Sequence, residues 1–82
     1  MDPDDVRRLV RLMIREVFEL EEHELPLDED VDLAQLGDSL QILEVVAMVQ
    51  SQFRINRLNV SWRNTSVSPR SLVALVLQHA GR

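Results

Sequence analysis

Asp38-Ser39-Leu40-Gln41 is the stretch that most limits how this chain can fold. Asp is a preferred N-cap residue, and a glutamine three positions on makes the run an acidic variant of the capping box. In such a box, the cap and the third helical side chain each satisfy the other's backbone N–H. Apolar residues at helical spacing follow at once: Leu40, Leu43, Val46, Ala47, Val49 and Phe53. The pattern predicts a helix from Ser39 to about Gln52, with Gln41, Glu44, Gln50, Ser51 and Gln52 on its exposed side. If Asp38 caps, Ser39 takes the first helical position. There a side chain points outward and the unpaired N–H groups favour a bound anion. An exposed hydroxyl, a neighbouring carboxylate and a positive helix end suit a serine that carries a phosphodiester.

Two further helices flank this one. Asp2-Pro3-Asp4-Asp5 supplies an N-cap, a proline at the first helical position and carboxylates at the positive end of the dipole. Val6, Leu9, Val10, Met13, Ile14, Val17 and Phe18 then keep one apolar face for four turns, while Arg7, Arg8, Arg11 and Arg15 fall largely away from it. The arginine stripe is read as a solvated face rather than a site for an acidic partner. Near the other end, Ser68-Pro69 repeats the cap-then-proline signal, and Val67 and Leu72 are placed to form a hydrophobic staple. Leu72, Val73, Val76, Leu77 and Ala80 supply the buried stripe of this last helix, which Gly81 ends. Between Phe53 and Ser68 the chain reads as an irregular connector and then a short helical turn, Val60 to Arg63. Trp62, the sole tryptophan, is expected there as a lid on the core.

From Glu19 to Asp32 the chain holds eight carboxylates in fourteen positions, and Pro26 forbids a regular helix. A long loop is expected, with Leu25, Leu27, Val31 and Leu33 dipping into the core. Asp28, Asp30 and Asp32 alternate as in a calcium loop, but Leu33 stands where such a loop needs glycine and Ser39 where it needs glutamate. No metal site is expected. His23 and His79 lie in the acidic loop and near the chain end, so no triad with Ser39 and no histidine metal pair is expected, and both are read as solvated.

The residues around Ser39 resemble a known family. Gly37-Asp38-Ser39-Leu40 opening a helix, with Glu44 five residues and Phe53 fourteen residues after the serine, is similar to the attachment site of acyl carrier proteins. The lead-in Asp30-Val31-Asp32-Leu33 and the long loop before it fit as well, so the resemblance covers essentially the whole chain. One departure shortens the loop by a residue: Gly37 abuts Asp38, where the family usually has a residue between them. The resemblance implies that Ser39 carries 4'-phosphopantetheine, with Asp38 supporting its attachment. A phosphopantetheinyl transferase that brings its own Mg²⁺ would catalyse attack of Ser39 on the β-phosphate of coenzyme A. The arm's thiol would then hold acyl groups as thioesters in polyketide or fatty-acid-type biosynthesis. Acyl-loading and condensing enzymes would read the surface around Leu40, Glu44 and Ala47. An aminoacyl, peptidyl or D-alanyl carrier is the alternative within the family, and Gln50-Ser51-Gln52-Phe53 is similar to the end of that helix in D-alanyl carriers. A helical adaptor that never accepts the arm is the alternative from another class.

Composition sets the outer limits. Eighty-two residues make a single domain, 1–82, whose core buries about 60–65% of the unfolded chain's surface. That leaves no room for an enzyme pocket and its walls, and no catalytic residues are assigned. The formal charge of −5 argues against a nucleic-acid partner. No apolar run approaches the roughly 20 residues that span a bilayer, and no signal peptide opens the chain; a cytoplasmic, membrane-free monomer is expected. Cysteine is absent, so any thiol chemistry requires a prosthetic group. The expected fold is all-α: a small bundle of three main helices plus one short helix, with a long loop between the first two.

Overall fold

The structure, a computed structural model, describes residues 2–25, 27–55 and 67–80. It is all-α, with helices α1 (Pro3–Phe18), α2 (Ser39–Gln52) and α3 (Pro69–Ala80), and no strand occurs among the described residues. Two 3₁₀ turns, Glu22–Glu24 and Leu33–Gln35, punctuate the long connection from α1 to α2. The short helix expected at Val60 to Arg63, the Trp62 lid and the Gly81 stop lie outside the described residues.

Each helix starts where its cap residue stands. The Asp2 carboxylate accepts the Asp4 N–H at 3.0 Å, with Pro3 in the first turn. At α3, the Ser68 hydroxyl accepts the Ser71 N–H at 3.1 Å while the Ser71 hydroxyl accepts the Ser68 N–H at 2.9 Å, a reciprocal cap made of two serines. Val67 and Leu72 are both buried beside it, as a staple requires. The helix ends are less conventional. Glu19 closes α1 in the left-handed region at φ 56°, with the Leu20 N–H donating to the Arg15 carbonyl at 2.9 Å and the Glu19 N–H to Glu16 at 3.4 Å. Arg54, at φ 55°, closes α2 the same way: Ile55 donates to Gln50 at 2.9 Å and Arg54 to Ser51 at 3.4 Å. Both are Schellman motifs without the usual glycine.

Helix α1 packs against both other helices. Val6, Val10, Met13, Ile14 and Phe18 are buried along it, and Leu9 and Val17 lie partly buried at the edges. Leu72, Val73 and Val76 form the buried face of α3, with Leu77 half-buried. The core face of α2 is Ile42, Val45, Val46 and Val49. This corrects the expected apolar run: Leu40 and Leu43 are exposed at 68% and 38%, and Ala47 is exposed as well. Helix α2 carries apolar residues on most of its circumference, and only the neighbours select which set turns inward. Helices α1 and α2 run antiparallel, for Phe18 meets Gly37 at one end while Leu9 and Met13 share a groove with Met48 and Gln52 at the other.

The acidic loop is tied down on two sides. Leu25 and Leu33 are buried in the core, whereas Leu27, expected there too, is 90% exposed. The Leu33 N–H donates to the Val67 carbonyl and the Arg70 N–H to the Glu29 carbonyl, each at 2.9 Å, which fastens the loop to the start of α3. The Arg7 guanidinium pairs with Asp4 at 2.9 Å and with Glu29 at 3.0 Å, and Arg70 pairs with Asp30 at 3.4 Å. Arg7 is thus not merely solvated; it links α1 to the loop.

Candidate functional site

The chain reaches α2 over a defined ramp. Asp32 accepts the Ala34 N–H at 3.0 Å and so caps the second 3₁₀ turn, which is anchored by the fully buried Leu33. The Leu36 and Gly37 N–H groups both donate to the Leu33 carbonyl, at 3.0 and 3.2 Å, and turn the backbone toward α2. Gly37 then lies close against the Cδ1–Cε1 edge of the Phe18 ring. A Cβ at this position would collide with Phe18 Cε1 and with Gln41 Oε1, and Phe18 is only 7% exposed. The close approach is what requires glycine here.

Asp38 is extended, at φ −94° and ψ 175°, and closes both halves of the capping box. Its carboxylate accepts the Gln41 N–H at 2.9 Å, and Gln41 Oε1 accepts the Asp38 N–H at 3.0 Å. The Asp38 carbonyl accepts the Ile42 N–H at 3.2 Å, the first bond of the helix itself. The N–H groups of Ser39 and Leu40 remain as the unpaired donors of the first turn, at the positive end of the dipole. Ser39 is exposed, and no hydrogen bond among the described residues engages its hydroxyl. The contrast with α3 is physical. There the two serines of the first turn are consumed by the cap: Ser68 accepts a backbone N–H, and the Ser71 hydroxyl also donates to the Ser68 carbonyl at 2.8 Å. Because a carboxylate and an amide do that work at α2, Ser39 is left available.

Leu40, Glu44 and Ala47, spaced four and three apart, share one exposed face of α2, and Leu43 extends it. Glu44 is the only charge on this helix. Gln41, expected on the exposed side, is half-buried: its Oε1 is used in the cap and its Nε2 reaches 3.5 Å from the Val17 carbonyl at the end of α1. The Gly37–Phe18 contact and the second role of Gln41 are not visible in the residue pattern, since both depend on how α1 and α2 meet.

The acidic residues are used separately. Asp28 accepts the Asp30 N–H at 2.9 Å, Asp30 pairs with Arg70 and Asp32 caps its turn. Among the described residues no three His, Asp or Glu side chains are grouped so as to hold a metal ion. His23 is exposed and His79 half-buried. Among the described residues no helix is long and apolar enough to cross a membrane. In comparisons with known proteins, no family model, curated protein or solved structure matches this chain.

Proposed function

We propose that this chain is a carrier protein that receives 4'-phosphopantetheine on Ser39 and holds acyl intermediates on it, in polyketide or fatty-acid-type biosynthesis. The observation that carries this reading is the uncommitted hydroxyl of Ser39 at the first position of α2, with Asp38 and Gln41 doing the capping around it. The residues suit the group. The Ser39 Oγ would hold it covalently, and the Ser39 and Leu40 N–H groups at the helix end favour the negative phosphodiester. When bound, the arm supplies the thiol that this cysteine-free chain lacks. The chain's own part is to present the acceptor oxygen in the open and to keep it near partner-facing residues Leu40, Glu44 and Ala47, all exposed. A phosphopantetheinyl transferase and acyl-loading and condensing enzymes are the partners this role requires, in the cytoplasm. The chain itself performs no catalysis in this scheme.

Incubation with coenzyme A and a broad-specificity phosphopantetheinyl transferase tests the proposal. The intact mass should rise by one phosphopantetheinyl group, and Ser39→Ala should abolish the gain. An unchanged mass for the wild-type protein, under conditions that load a control carrier, would support the helical adaptor instead.

A further inference from the structure

We infer that Gln41 is a positioning residue for the modification of Ser39, acting through Asp38; this rests on the carrier reading above. In that reading the Ser39 Oγ forms a bond to the β-phosphorus of coenzyme A and the phosphoanhydride P–O bond breaks. Adenosine 3',5'-bisphosphate leaves, and the serine proton passes to a base of the transferase. The step depends on where the oxygen points, since misplacement of a reacting atom by about 1 Å can lower a rate by about 10²-fold.

The Gln41 side chain works in two directions at once. Oε1 holds the Asp38 N–H at 3.0 Å, and Nε2 lies 3.5 Å from the Val17 carbonyl at the last turn of α1. Gly37, just before the cap, is pressed against both the Gln41 side chain and the Phe18 ring, which is held in the core. The peptide leading to Ser39 is therefore gripped between α1 and the third residue of α2. Gln41 is half-buried and is not part of the exposed face made by Leu40, Glu44 and Ala47. Changing it alters how the serine is aimed and leaves the docking face as it was.

This separates kcat from KM. The transferase is assayed with saturating coenzyme A and varied carrier, using wild type, Gln41→Ala and Gln41→Glu at a temperature where circular dichroism reports all three folded. Gln41→Ala should lower kcat about tenfold while KM for the carrier stays within about twofold. Gln41→Glu should restore most of kcat, because its carboxylate still accepts the Asp38 N–H although it cannot donate to Val17. In parallel, amide hydrogen exchange should find the Asp38 N–H protected in wild type and Gln41→Glu and unprotected in Gln41→Ala. An unchanged kcat in Gln41→Ala beside a modified wild type overturns the inference and leaves the carrier reading intact, as does a loss carried by KM alone. An Asp38 N–H unprotected in wild type overturns it irrespective of any transferase. A wild-type protein that is not modified overturns the carrier reading first, and this inference with it.

Discussion

At Gly37, one hydrogen atom in place of a side chain decides the geometry of the candidate site. The Cβ of an alanine would meet the buried Phe18 ring and the capping amide of Gln41, so one of them would have to move. The amide can yield, but the ring is fixed by the core around it. Overpacking of this kind costs about 1–3 kcal/mol. Gly37→Ala should lower the free energy of unfolding by that amount in a urea titration, and an unchanged midpoint would mean that the ring is free to shift. The glycine at position 37 is plain in the sequence, but its reason is not, because Phe18 is nineteen residues away in the chain. The left-handed residues Glu19 and Arg54 escape sequence reading for a different cause. Helix stops are recognised by glycine at that position, and neither is one.

Among the elements, α1 and the starts of all three helices are legible because each cap residue makes a local bond that the spacing specifies. The buried faces of α1 and α3 follow from a clear apolar stripe. Helix α2 is different: Leu40 and Leu43 are as apolar as Ile42, Val45 and Val49, so hydropathy alone does not select which set is buried. The exposed set makes an outward face on which Glu44 is the only charge, and in the proposed carrier role partners read it. Burial of a leucine contributes roughly 1.5–3 kcal/mol, against about 0–1 kcal/mol for an exposed ion pair. Leu40→Ala should therefore reduce the transferase's kcat/KM more than Glu44→Gln, with little difference between low and physiological ionic strength. If Glu44→Gln is the more damaging, or salt alone lowers kcat/KM about tenfold, recognition is electrostatic. The acidic loop invites the same comparison. Its ties through Arg7 and Arg70 are exposed pairs, whereas Leu33 is fully buried. Leu33→Ala should cost about 2–5 kcal/mol and Arg7→Ala less than about 1 kcal/mol by thermal or chemical unfolding. Equal losses would place the ion pairs on a level with the core.

For the molecule as a whole, the arrangement divides labour between one packed interior and one open edge. Helix α1 lies against both other helices, the loop is anchored through Leu25 and Leu33, and the end of α1 supports the start of α2. The apolar residues that α2 does not bury, and the hydroxyl its cap does not use, face outward together. A small domain with total stability on the order of 5–10 kcal/mol has little to lose at its interior, and the attachment point proposed for it lies where substitutions leave the core alone. In the proposed carrier role Ser39, among all the serines of the chain, is the acceptor. The most direct measurement is tandem mass spectrometry of the protein after reaction with coenzyme A and transferase, with every serine retained. One phosphopantetheinyl group found on the fragment ions that contain Ser39, with Ser51, Ser61, Ser66, Ser68 and Ser71 unmodified, is the expected result. A group located on any other serine, or no group at all beside a fully loaded control carrier, would contradict it.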